Sequence, residues 1–172
     1  MSYDPLPKRV DPRKLADRNV TIKGHVEAEQ MPRLRSLLCD SRGGVDAELM
    51  FSVDEQKLRI VTGNAAGHVF MTCQRCLEPV EVEVHAELNL AITLTDEHVK
   101  NLPRKYDPLP LEEEDVSLVE VLEEDLLLSL PPFAYHDDCS VETSYGKIEA
   151  AQETKPNPFS VLAELKANKT SK

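Results

Sequence analysis

A Cys-x-x-Cys turn near the middle of the 172-residue chain separates two stretches in which apolar and polar residues alternate. After the turn, Val80, Val82 and Val84 alternate with two glutamates and a histidine. Alternation with a period of two is typical of a β-strand that buries one face. The sequence therefore predicts two strands joined by a turn that carries both Cys73 and Cys76.

Similar alternation predicts the rest of a sheet. A strand is expected over residues 20–26, a hairpin over residues 45–61 with its turn at 54–56, a second turn at 63–67, and a long strand over 80–94. Short connections between alternating segments favour antiparallel pairing. We therefore expect an α+β fold: a twisted antiparallel β meander of four to five strands with packed helices.

Helix signals lie on both sides of the predicted strands. Asp11 can cap a short helix that has Pro12 at its first position. A second helix is expected over residues 28–38, and a third over 118–130, ending before Pro131-Pro132. Acidic residues 112–115 precede the third helix, where negative charge is favourable. Residues 95–110 contain three prolines and predict a mobile loop.

The length of the chain suits one domain. We expect an α+β core over residues 1–145, followed over 146–172 by a linker, a motif helix and a basic tail, with flexible ends. Asn157 is a good N-cap and Pro158 suits the first helical position. This helix can dock on the core or, as we favour, bind a partner through the motif residues Lys155, Asn157, Pro158, Phe159, Leu162 and Leu165.

Two short segments carry candidate metal ligands. Cys73 and Cys76 can both reach one tetrahedral ion, and His136 and Cys139 have the same spacing. If the two segments meet, the four side chains form a Cys3His set of the structural zinc type. Asp137 or water could instead supply the fourth ligand. A thioredoxin-like redox pair and ordinary reduced cysteines are the alternatives. We expect Cys39 to be a buried small hydrophobe.

Charge is unevenly distributed along a chain with a net charge of −11. Residues 1–42 carry 9 Lys and Arg against 6 Asp and Glu, residues 43–158 carry 8 against 24, and residues 159–172 carry 3 against 1. Basic ends suit RNA, whereas an acidic middle suits a basic protein. The densest acidic surface predicted for such a partner comprises Glu112, Glu113, Glu114, Glu120, Glu123 and Glu124. The alternative is that these residues only keep the protein soluble.

The compartment is predicted from what the chain lacks. It contains no apolar run long enough to span a membrane, and residues 1–10 lack the apolar core of a signal peptide. We therefore expect a cytoplasmic protein without a membrane partner. In that compartment cysteines remain thiols or bind metal.

Two motifs together suggest a family. The Cys-x-x-Cys turn at 73–79 and the C-terminal motif at 155–166 resemble the bacterial YceD family of large ribosomal RNA subunit accumulation proteins. The Asp11-Pro12 start, the acidic helix that ends at Leu130-Pro131 and the His136-Asp137 turn belong to the same resemblance. It implies a role in the synthesis, processing or stability of large-subunit (23S) ribosomal RNA, and it does not imply a known catalytic activity.

No catalytic motif supports an enzyme. The sequence has no glycine-rich phosphate loop, no Gly-x-Ser-x-Gly elbow and no His-Glu-x-x-His helix. We therefore expect a non-enzymatic ribosome biogenesis factor that binds a large-subunit precursor through its RNA, a ribosomal protein or a maturation enzyme. The alternative is a metal-dependent RNA-processing hydrolase, whose carboxylates the sequence does not localise.

Overall fold

A five-stranded sheet dominates the computed structural model of the protein, which describes residues 4–111 and 113–141 apart from the side chains of residues 96 and 97. Its strands lie in the order β2 (Thr21–Glu27), β3 (Gly43–Val53), β4 (Arg59–Thr72), β5 (Pro79–Thr93) and β6 (Asp107–Pro110). Strands β2 to β5 pair antiparallel with their sequence neighbours. The predicted α+β class and the meander of these strands are thus confirmed.

Strand β4 corrects one prediction. Residues 63–67 were expected to form a turn because they contain two glycines, yet they lie within a continuous 14-residue strand. A Cβ atom on Gly63 would lie 2.1 Å from the Glu48 carbonyl oxygen, and one on Gly67 would lie 2.0 Å from that of Gly44. These glycines therefore permit a close approach of β4 to β3 rather than a change of direction.

The last strand of the sheet corrects a second prediction. Residues 95–110 were expected to be a mobile loop, but they contain helix α3 (Asp96–Lys100) and strand β6. Strand β6 pairs parallel with β5, so the sheet is mixed rather than wholly antiparallel. A parallel neighbour requires a long crossover, and the segment that includes α3 supplies it.

The chain before β3 contains short helices and a small ribbon. Helix α1 (Pro12–Asp17) begins as predicted: the Asp11 carboxylate accepts hydrogen bonds from the backbone N–H groups of Arg13 and Lys14. Strand β1 (Arg9–Val10) pairs with β7 (Val116–Ser117). The helix predicted over 28–38 is instead a 3-10 turn, Ala28–Gln30, followed by the one-turn helix α2 (Pro32–Arg35).

Helix α4 (Leu118–Ser129) ends before Pro131, as predicted, because proline cannot continue a helix. It packs against β5 and α2. Its buried residues Leu118, Leu122 and Leu126 join the main core. Side chains from one face of β5 enter the same core, namely Val84, Ala86, Leu88 and Leu90.

No helix among the described residues is long and apolar enough to span a membrane.

Glu123 of α4 departs from the solvent-exposed position predicted for it. It is 1% exposed, and its Oε1 atom accepts hydrogen bonds from the backbone N–H groups of Arg33 at 2.7 Å and Leu34 at 3.0 Å. Helix α2 has no side-chain cap of its own, so a carboxylate from another helix satisfies its first N–H groups. Glu123 therefore holds α2 against α4 and is not part of an exposed partner surface.

We predict that Glu123→Ala lowers the free energy of unfolding by about 2–3 kcal/mol, because two N–H groups of α2 lose their acceptor. Glu124→Ala is the matched control, since Glu124 is an exposed glutamate on the same helix. Urea denaturation measures both. Equal losses in the two variants would contradict the capping role.

Candidate metal centre

The β4–β5 turn places its cysteines through its own backbone hydrogen bonds. The Cys73 N–H donates to the Glu78 carbonyl at 2.9 Å, and the Leu77 N–H donates to the Cys73 carbonyl at 3.0 Å. Leu77 adopts a φ of 64°, a left-handed conformation that non-glycine residues rarely adopt. The tight turn brings both sulfurs to the side on which the segment after α4 lies.

That second segment is attached to the turn beside Cys73. An isolated parallel bridge joins Cys73 to Ala134, and the Gln74 N–H donates to the Ala134 carbonyl at 2.9 Å. Further along, the Arg75 Nη1 atom donates to the Cys139 carbonyl at 2.8 Å. These contacts bring His136 and Cys139 to the cysteine turn, although about 60 residues separate the two segments in sequence.

The structure brings the four predicted donors together. The Cys73 and Cys139 sulfurs are 3.6 Å apart, and the Cys76 sulfur is 3.3 Å from the His136 Nδ1 atom. All four donor atoms lie within 4.8 Å of one another. Four thiol and imidazole donors this close are compatible with one tetrahedral ion.

The ring of His136 is oriented for ligation. Its Nε2 atom is 3.0 Å from the Pro79 carbonyl oxygen, which can only accept a hydrogen bond. A proton on Nε2 leaves Nδ1, the atom that faces Cys76, with a free lone pair. A metal-bound histidine commonly donates its other N–H to a backbone carbonyl in this way.

The thiols differ in acidity. Burial opposes ionisation of Cys73, but hydrogen bonds from the backbone N–H groups of Cys76, Arg75 and His136 and from the Cys139 thiol lower the pKa of Cys73 to about 5. A hydrogen bond from the Glu78 backbone N–H lowers the pKa of Cys76, but burial and the neighbouring sulfurs of Cys73 and Cys139 outweigh it. The pKa of Cys76 is therefore raised. Metal binding must displace the Cys76 proton, so acid should weaken it.

Cys39 lies apart from this cluster. It was expected to be buried, but it is exposed after the short helix α2. Its backbone N–H donates to the Phe70 carbonyl at 2.9 Å. The burial prediction was wrong because the helix predicted to reach residue 38 ends at Arg35. An exposed thiol outside the cluster supplies a control for cysteine substitutions.

Comparisons with known proteins agree with the resemblance noted from the motifs. The family model of the large ribosomal RNA subunit accumulation protein YceD matches residues 61–166. This chain belongs to the YceD family. A curated relative from Haemophilus influenzae, the large ribosomal RNA subunit accumulation protein YceD, is 33% identical over 167 residues, which cover 94% of this chain and 96% of the relative. No solved structure matches.

The matched region of the YceD model includes the C-terminal motif, but that motif lies outside the described residues. This applies to the predicted partner-binding residues Lys155, Asn157, Pro158, Phe159, Leu162 and Leu165. Glu112 lies outside them as well. These assignments therefore remain predictions, as does the division of the chain near residue 145.

The structure shows the surroundings of Glu113, Glu120 and Glu124, three of the other predicted acidic residues. Glu113 pairs with Arg9, at 2.6 Å between Oε2 and Nη2, and lines a shallow concavity together with Glu120. Glu124 lines a different cavity with Asp107 and Asp125. Burial, together with the charges of Asp107 and Glu124, raises the pKa of Asp125. Glu120 and Glu124 lie four residues apart on α4, and Pro110 lines both cavities, so the predicted acidic surface, without Glu123, stays a prediction.

We predict that reduced protein purified without chelator carries one zinc ion per chain, and that removing the ion lowers the melting temperature. Cys76→Ser should abolish stoichiometric zinc, because a three-donor set binds it weakly. Cys39→Ser should retain it. Elemental analysis and thermal unfolding measure these outcomes. Metal-free wild-type protein, or equal zinc loss in both variants, would contradict the assignment.

Proposed function

We propose that this protein supports the accumulation of large-subunit (23S) ribosomal RNA as a non-enzymatic assembly factor. In this role it binds a precursor of the large subunit through its RNA, a ribosomal protein or a maturation enzyme. Membership of the YceD family and the name of the Haemophilus influenzae relative support a role with this RNA. We place its action in the cytoplasm, where the cluster thiols stay reduced.

The composition of the metal centre supports the non-enzymatic part of the proposal. Structural zinc sites use four protein ligands of the Cys and His type, whereas catalytic sites keep one position open for water or substrate. Cys73, Cys76, His136 and Cys139 supply all four donors. An ion held by all four of these residues would have no open position for a reacting water molecule.

Zinc in this site would fix a surface rather than perform chemistry. It would join the β4–β5 turn to the segment after α4, where Ala134 is buried and its neighbours Phe133 and Tyr135 are 63% and 49% exposed. The Arg75 guanidinium lies 5.7 Å from the centre of the Tyr135 ring. Exposed aromatic rings held beside a guanidinium are typical of binding surfaces.

The alternative function, a metal-dependent RNA-processing hydrolase, has one observation in its favour: three carboxylates, those of Asp107, Glu124 and Asp125, line one cavity. Two-metal hydrolases need carboxylates that converge on the ions. Among the described residues, however, the Cys3His cluster is the one group of three or more donors close enough to hold an ion. The carboxylates therefore give the hydrolase less support.

We predict that cells lacking this protein contain less large-subunit than small-subunit ribosomal RNA, and that the wild-type chain restores the ratio. The double variant Glu124→Gln/Asp125→Asn, which removes the candidate hydrolase carboxylates, should restore it equally well. Quantification of both RNAs by electrophoresis measures the ratio.

An assay on the purified protein separates the two functions directly. The zinc-loaded chain, incubated with large-subunit precursor RNA and either magnesium or manganese, should leave the RNA intact. Cleavage that disappears in Glu124→Gln/Asp125→Asn would support the hydrolase and overturn the non-enzymatic proposal.

A further inference from the structure

A cavity of about 320 Å³ lies at the end of the sheet opposite the metal centre. It opens between helix α1, the β3–β4 turn, the end of β5 and helix α3. The β4–β5 pairing runs from Ile60 opposite Ala91 to Thr72 opposite Pro79, so the metal turn closes one end of the hairpin and the cavity lies at the other. The size falls in the range of pockets that hold small ligands.

The lining of the cavity is amphipathic. Its apolar walls come from four aliphatic side chains, Leu58, Ile92, Leu94 and Leu102. Three cationic side chains also line the cavity. They are Arg13 from helix α1, Lys57 from the β3–β4 turn and Arg59 from the start of β4. Among the described residues no carboxylate lines it. Such a cationic site is notable in a chain with a net charge of −11 and suits a ligand with an apolar body and a negative group.

The two arginines are held in place by carboxylates behind them. Arg59 makes two hydrogen bonds to Asp17, at 2.7 Å and 3.1 Å, and Arg13 lies 3.4 Å from Asp11. A guanidinium carries five N–H donors, so these pairs leave donors for an anion. The pairing orients the side chains while reducing the local positive charge.

Lys57 is positioned by a rigid turn. The Asp54 carboxylate accepts hydrogen bonds from the backbone N–H groups of Gln56 at 2.8 Å and Leu58 at 2.9 Å. Lys57 itself has a φ of 62°, which is unfavourable for a residue with a side chain. The hairpin loop accounts for this conformation, because the Lys57 N–H donates to the Asp54 carbonyl and the Asp54 N–H donates to the Leu58 carbonyl.

Thr93 supplies a buried polar group at the wall of the cavity. It lines the cavity and is 2% exposed, and its buried hydroxyl has no hydrogen-bond partner among the described residues. A buried hydroxyl without a partner is destabilising, and such groups are rare in folded proteins. The hydroxyl is closed to water in the free protein, so a bound polar group would reach it only if the side chains that cover it move.

We propose that this cavity binds a single unpaired nucleotide of RNA, with the base or ribose against the aliphatic walls and the phosphate at Arg13, Lys57 and Arg59. The proposal rests on the role in ribosomal RNA accumulation and identifies where RNA makes contact. Phosphate contacts with Lys and Arg supply a large share of the affinity of proteins for nucleic acids, and unpaired bases of RNA can be splayed out of the strand into a protein site.

The test uses the full zinc-loaded chain and adenosine monophosphate as the probe, with binding followed by isothermal titration and by amide NMR shifts. We expect saturable binding that shifts the amides of Thr93 and Leu102. Lys57→Glu should weaken binding about tenfold or more. Arg33→Glu, the same charge reversal at an exposed residue outside the cavity lining, should bind as wild type does.

Thr93→Val separates a ligand contact from a structural role. It removes the hydroxyl at nearly constant volume, so it should weaken nucleotide binding about tenfold. Because that hydroxyl has no partner in the free protein, the melting temperature should stay the same or rise. Weaker binding together with a lower melting temperature would indicate a structural role and would overturn the contact.

Three other results would overturn the proposal: no binding of adenosine monophosphate at millimolar concentration, equal binding by inorganic phosphate alone, or equal weakening by Lys57→Glu and Arg33→Glu. A parallel measurement keeps the two proposals distinct. If Lys57→Glu binds normally while cells lacking the protein still lose large-subunit RNA, only the nucleotide site fails and the proposed function stands.

Discussion

The antiparallel pairing of β4 with β5 is the constraint on which the rest of the structure depends. Its register places Thr72 opposite Pro79 and thereby forms the turn that presents Cys73 and Cys76. The same register brings the start of β4 beside the end of β5, where the cavity lies. At about 3.3 Å per residue the two ends are roughly 40 Å apart along the strands, so one hairpin carries two distinct sites.

The metal centre explains how a segment with little regular structure keeps its position. Residues 131–140 follow α4 and contain no helix or strand apart from one bridge at Ala134. Ala134 and Cys73 are buried in a small cluster with Val80, separate from the main core. An apolar cluster of this size contributes little to the free energy of unfolding. A tetrahedral ion that binds both segments would add to the stability of their contact.

Local signals in the sequence were sufficient to predict several elements. The alternation after residue 79 predicted β5, Asp11-Pro12 predicted the start of α1, and Pro131 predicted the end of α4, because each depends on neighbouring residues alone. The spacing of the cysteines and His136 predicted the donor set, although only the fold could show that the segments meet.

The features that sequence analysis missed depend on contacts between distant segments. Gly63 and Gly67 were interpreted as a turn, because the sequence does not show that β3 passes close to β4 at these positions. The parallel pairing of β6 depends on a crossover between distant segments. Glu123 was assigned to solvent from its charge, although its spacing three residues before Leu126 and four after Val119 places it beside the apolar stripe of α4. The unpartnered Thr93 hydroxyl could be recognised only from its burial.

We propose that one zinc ion, held by three sulfurs and one imidazole nitrogen, closes the β4–β5 turn onto the segment after α4. X-ray absorption spectroscopy of the zinc-loaded protein tests it most directly. We expect about three sulfur neighbours at ~2.3 Å and one nitrogen at ~2.0 Å. A first coordination sphere made mainly of oxygen and nitrogen, with fewer than two sulfurs, would contradict it.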